Sequence, residues 1–174
     1  MFDECKDCDL VTAETTKSIV SEARGLFQSN NFYSAYKDIE EARKSMRDGK
    51  FDNTLTRSLS SLESVMKICH ENMNEEIPNT DTATVLWKST RDILRFNDIE
   101  PENEITALIN TLSGVVNKLS SLRNELSDSH GSGNTDPEAS YYIAELAINT
   151  SSTLSTLIIR RYDQIIENRR EEIQ

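Results

Sequence analysis

The sequence predicts an all-α protein, and three observations carry that prediction. Long stretches rich in Leu, Ile, Ser, Glu and Asn repeat their apolar residues at intervals of three and four. No window alternates apolar and polar residues cleanly over six positions. Helix-breaking residues are sparse, with 5 Gly and 3 Pro in 174 residues, and the prolines, Pro78, Pro101 and Pro137, fall between periodic segments. A chain of this length is expected to form one globular unit with a real core, a helical bundle.

From Thr12 to about Gln28, Ile19, Ala23, Leu26 and Phe27 mark a first amphipathic helix, preceded by an acidic and loosely held start. Ser29-Asn30-Asn31 breaks it. Residues 32–47 read as a second helix with Tyr33, Tyr36, Ile39, Ala42 and Met46 inward, stopped at Gly49 as a C-terminal cap. Residues 1–48 thus form an N-terminal helical pair, and 49–174 the main domain. Asp52 or Asn53 is placed to cap a third helix running to about Asn74. Its Leu55, Leu59, Leu62, Met66, Cys69 and Met73 give one narrow stripe, with Glu63 and Lys67 at its flank. After the Pro78 turn a shorter helix spans roughly 82–96, with Trp87 as a packing anchor. A loop around Pro101 leads to a long helix from about Ile105 to His130, on which the chain is expected to be organised. Gly131-Ser132-Gly133-Asn134 interrupts. Asp136-Pro137-Glu138 then signals the start of a last helix reaching about Glu172. Its Ala, Ser and Thr between Ala144 and Ser155 permit close approach of a neighbour, and its charged end carries Arg160, Arg161, Arg169 and Arg170.

The long helix holds the most informative pattern. Ile105, Leu108, Ile109, Leu112, Val115, Val116, Leu119, Leu122 and Leu126 share one stripe, and so do Arg123 and His130. A guanidinium is seldom buried without a partner, because desolvating it costs several kcal/mol. The stripe should therefore pack as core as far as Leu122 and then open onto a cleft, an interface or a ligand. Arg123 and His130 lie two turns apart, about 10.5 Å. Arg binds phosphate in bidentate fashion and His exchanges a proton near neutral pH, which together suffice for RNA cleavage without metal. On spacing alone, a helix-terminal His beside a surface-paired Arg is the preferred reading of these residues.

The string Arg123-Asn124-Glu125-Leu126-Ser127-Asp128-Ser129-His130-Gly131-Ser132-Gly133 resembles the signature of the HEPN superfamily. More narrowly, residues 49–162 resemble the C-terminal domain of abortive-infection proteins, Abi-C. The supporting segments are Gly49-Lys50-Phe51, Leu62-Glu63-Ser64-Val65-Met66-Lys67 and Leu146-Ala147-Ile148-Asn149 running on to Leu154. The resemblance implies a HEPN-like up-and-down bundle that forms a homodimer, two Arg/His motifs making one composite cleft. It implies a metal-independent endoribonuclease of a phage-defence or toxin system, needing no cofactor, with RNA, tRNA included, as substrate. Arg123 and His130 then take the catalytic positions and Asn124 the polar position beside the Arg. Asp128, Glu63 and Asn149 match supporting positions without assigned roles. Leu59 departs from the pattern, which often has Arg there.

Two function classes compete with the enzyme. One is a catalytically silent dimerisation or regulatory module; the other is a helical adaptor that binds a protein through its N-terminal pair. A net charge of −11 disfavours indiscriminate nucleic-acid binding and leaves room for a neutralising or regulatory protein partner. Cys5 and Cys8 form a lone C-x-x-C, and Cys69 precedes His70. One such pair is weak evidence for zinc, and a frayed terminus with a core Cys69 is the preferred reading. No apolar run approaches the ~18–20 residues that cross a bilayer, and the first ten residues lack a secretion signal. A soluble, cytoplasmic protein without membrane contact is expected.

Overall fold

The structure is a computed structural model that describes residues 6–79, 82–99, 101–128 and 139–172. The side chains of residues 6–17, 102, 127 and 128 fall outside that description. Six α-helices follow one another: α1 Lys6–Ser29, α2 Tyr33–Arg47, α3 Phe51–Met73, α4 Ala83–Ile93, α5 Glu102–Asp128 and α6 Tyr141–Glu171. A 3-10 turn, Phe96–Asp98, follows α4, and the described residues contain no strand. This is the all-α bundle that the periodicity predicts.

The bundle is built on α3. It packs most extensively against α2 and α6, while α4 and α5 cover its other flank and α1 lies against α6. The six apolar residues of its predicted stripe are all buried. The stripe is not narrow, however: Thr54, Ser58, Ser61, Val65 and His70 are buried as well, so α3 is enclosed on several sides. The hydroxyls are accommodated locally. Ser58 donates to the Thr54 carbonyl at 2.6 Å and Ser61 to the Ala35 carbonyl at 2.8 Å. Opposite them, Ala144, Ala147, Ser151, Ser152 and Ser155 of α6 are buried, the close approach that their small size permits.

Helix boundaries follow from backbone chemistry. Gly49 adopts φ +70°, and the Lys50 and Gly49 amides return to the carbonyls of Ser45 and Met46 at 2.8 and 3.3 Å. That pattern is a Schellman closure, and it confirms Gly49 as the stop of α2. Asn31 at φ +62° does the same for α1, its successor Phe32 donating to the Phe27 carbonyl at 2.8 Å.

Several expectations need correction. Helix α1 starts at Lys6 rather than Thr12, since nothing between residues 6 and 28 breaks it before Gly25, which it absorbs. In α2, Tyr33 is 71% exposed, and Phe32 and Ala35 are buried in its place. The Asn31 turn aims Phe32 inward, where its ring meets Tyr162 edge-on at 6.1 Å. Asp52 caps nothing: the N-cap position is Lys50, and the Asp52 carboxylate accepts the Ala139 amide at 2.7 Å. Helix α6 begins at Tyr141, because Ala139 and Ser140 are not helical. The start signal at 136–138 lies outside the described residues, as do Cys5 and the Gly131–Asn134 stretch. Finally, α5 is not the organising element: Leu108 is 55% exposed, and Ile105, Leu112, Val115 and Leu122 are only half-buried.

The hydrophobic cluster is continuous across the molecule, Phe27, Ile39, Leu62, Trp87, Val116 and Ile159 belonging to one core. Arg161 stitches its far end, donating to the carbonyls of Leu94 and Arg95 at 2.9 and 2.8 Å. Among the described residues, no helix is long and apolar enough to cross a membrane.

Candidate functional site at the end of α5

Two side chains of α4 set the orientation of α5. Trp87 donates its indole N–H to Ser113 Oγ at 2.9 Å, and Arg91 donates to Asn110 Oδ1 at 2.8 Å and Ser113 Oγ at 3.1 Å. With α4 fixed against α5 in this way, Val116 and Leu119 turn inward, and the position seven residues beyond Val116 faces α3. That position is Arg123. Its Nη1 donates to Glu63 Oε1 at 3.0 Å, and the two side chains are 19% and 20% exposed. The Nε also reaches Asn124 Oδ1 at 3.4 Å.

The sequence argument expects a cleft, an interface or a ligand past Leu122; at Arg123 the structure shows a partner within the bundle. A cation at a core-facing position has been given a carboxylate, supplied by the helix that forms the centre of the bundle. Residues 60 positions apart meet in this pair, so no local spacing could reveal it. Breaking it leaves a semi-enclosed charge, which gives both residues a strong hold on one conformation.

Of the remaining supporting residues, Asn124 is exposed on the far side of Arg123 and Asn149 is half-buried on α6. The register of α6 on α3 follows from the Asp52–Ala139 hydrogen bond and the Phe51–Tyr141 ring contact at 5.9 Å. Extended along two parallel helices, it sets Asn149 within about one turn of the level of Glu63. Leu59, where the family pattern often has Arg, is 1% exposed and belongs to the core. His130 and the side chain of Asp128 lie outside the described residues.

A groove runs along α5 as far as Leu122, the residue before Arg123. Leu112, Val115, Leu119 and Leu122 of α5 form one wall and Leu146 and Thr150 of α6 the other, around about 690 Å³. It exists because these two helices barely touch, each packing on α3 instead. Leu146 is 57% exposed at its rim. Sequence reasoning treats the α5 stripe as core and so misses this groove. The available signal was its breadth: the stripe spans about 140°, and Val115 and Leu122 lie at one edge of it, beyond the arc that one neighbour covers.

Metal chemistry finds no support in the geometry of the described residues, which bring no group of three His, Cys, Asp or Glu together. Cys69 is buried in the core, and burial pushes its thiol up to about 12, with the nearby Asp163 charge adding to the rise. It is an inert packing residue.

The sequence model of the Abi_C family, described as a HEPN-like domain, matches residues 33–162. The chain belongs to the Abi_C family. The matched region begins with α2 and ends inside α6, so it contains Glu63, Arg123 and Asn149. A search of curated proteins and one of solved structures returned no match.

Proposed function

We propose that this Abi_C protein is a metal-independent endoribonuclease of an abortive-infection or toxin system, acting in the cytoplasm as a homodimer. The observation that carries the reading is Arg123, held by Glu63 at the edge of the core beside an open groove. A phosphodiester that approaches the guanidinium exchanges one anionic partner for another, so the charge is compensated throughout. His130, two residues past the end of α5, takes the 2′-hydroxyl proton as the 2′-oxygen attacks phosphorus. Arg123 stabilises the developing charge, the 5′-oxygen leaves with the proton that the His130 imidazolium returns to it, and the products are a 2′,3′-cyclic phosphate and a 5′-hydroxyl. The groove supports the dimer: an apolar channel that runs up to Leu122, next to Arg123, fits a second copy of α5 and would bring two Arg123 side chains to one cleft.

A second reading, the catalytically silent dimerisation module, draws on the same ion pair, because Glu63 already occupies the guanidinium. One experiment separates the two. Wild type, His130→Ala and Arg123→Gln are incubated with a pool of tRNA and mRNA in EDTA, and fragment ends are mapped. The enzyme reading expects cleavage by wild type alone, leaving cyclic phosphates, with a loss of at least a hundredfold in either variant. Folded, dimeric and inert proteins in all three cases would establish the silent module.

A further inference from the structure

The end of the bundle where α3 and α6 begin carries a feature that the Arg123 site does not use. The Gly49 turn folds Lys50 back onto Ser45, so Lys44, Arg47 and Lys50 lie around one exposed corner. Arg24, Arg43, Arg57, Arg95, Arg123 and Arg160 each face a carboxylate. The three cations of the corner have no ion-pair partner among the described residues, and Asp48 is the acid nearest to them in the chain. Three exposed cations gathered at one corner, with Asp48 lying between Arg47 and Lys50 in the chain, form a local basic site in a protein of net charge −11.

Aromatic rings adjoin it. Phe51, next to Lys50, braces Tyr141 edge-on at 5.9 Å and 87°, and the Asp52–Ala139 hydrogen bond fixes the start of α6 there. Tyr141 is 48% exposed and Tyr142 72% exposed. Exposed tyrosine rings offer flat faces on which a base can stack. Cations that take phosphates beside rings that take bases are the two components of single-strand recognition.

We propose that Lys44, Arg47, Lys50, Tyr141 and Tyr142 form a docking platform for single-stranded RNA. The inference rests on the ribonuclease reading and extends it by placing the strand that flanks the cleavage point. Phe51 and Glu63 are twelve residues apart on α3, about 18 Å, a distance that a few nucleotides span. An acidic protein segment would satisfy the cations and leave both tyrosines without a role.

The test uses the full chain and a fluorescent 2′-O-methyl RNA 12-mer, which cannot be cleaved, followed by anisotropy at several salt concentrations. Arg47→Glu with Lys50→Glu is expected to weaken binding at least tenfold and to flatten the slope of log K against log salt by about 1.4. Tyr142→Ala is expected to weaken it about fivefold at unchanged slope, with Tyr142→Phe restoring it. A duplex of the same sequence should compete poorly. All these positions are exposed, and unchanged thermal midpoints confirm folding. Affinity within twofold of wild type in both the charge and the Tyr142→Ala variants overturns the platform, as does equal competition by the duplex or an absence of binding by wild type. The ribonuclease reading is judged separately, by the Arg123→Gln cleavage assay, so either can fail alone.

Discussion

Helices α3 and α5 have the same kind of amphipathic sequence and opposite fates. Helix α3 is enclosed by α2, α4, α5 and α6 and buries even Ser58, Ser61 and His70. Helix α5 buries Ile109, Val116, Leu119 and Leu126 and leaves Leu108 and much of the Leu112, Val115 and Leu122 surface uncovered. The difference is one of neighbours rather than of residues. A stripe reports that a face seeks cover; how much cover it finds depends on the number of helices that reach it. Where intramolecular partners run out, as along the α5–α6 groove, the residual apolar surface becomes available for association.

The sharpest break between the two helices should come from truncating one Leu on each. Leu62→Ala is expected to cost about 3 kcal/mol, because a fully enclosed side chain leaves a cavity, whereas Leu112→Ala should cost under about 1 kcal/mol. Equal shifts in urea midpoints would mean that α5 is as enclosed as α3. The groove supplies the second contrast. Leu146→Asp should leave monomer stability within about 0.5 kcal/mol and abolish self-association in sedimentation equilibrium. A dimer unaffected by this change must use another face.

Two smaller effects probe the polar groups that α3 buries. Burial lowers the His70 pKa from 6.5, partly offset by hydrogen bonding to the Glu76 backbone and by the Glu75 charge. The folded state therefore resists a proton that the unfolded chain accepts. Stability should fall as pH drops below about 6.5, by about 1.4 kcal/mol per unit until the folded value is reached. His70→Gln should flatten that dependence in urea titrations, and an unchanged slope would exclude His70 as its source. On α6, the Ser151 and Ser155 hydroxyls are buried against the bundle without a hydrogen-bond partner among the described residues. Ser151→Ala should be neutral or stabilise by up to about 1 kcal/mol, since it removes an unsatisfied group. A loss of stability would reveal a partner for that hydroxyl.

How far the sequence could be read depended on the range of the interaction. Periodicity identified the helices, the buried stripe of α3 and the small-residue face of α6, and Gly49 marked a stop by a purely local rule. Phe32 and Tyr33 are adjacent aromatics, and the choice between them was made by the left-handed Asn31 just upstream, which rotates the entry into α2. Asp52 looked like a cap because caps are recognised from nearby residues, yet its partner lies 87 positions away. Glu63 and Arg123 were both singled out as positions. Their contact could be seen only once α3 and α5 were laid side by side.

The parallel alignment of α3 and α6 also governs when the protein can fold. The Asp52–Ala139 contact closes a stretch of 87 residues, and the Phe51–Tyr141 contact a similar one. Such closures are made late, because their entropic cost precedes any reward from packing. During synthesis α3 has no cover along its α6 face until α6 has left the ribosome. A ribosome-bound chain that stops short of α6 has Glu63 and Arg123 but not the core that holds their helices in place.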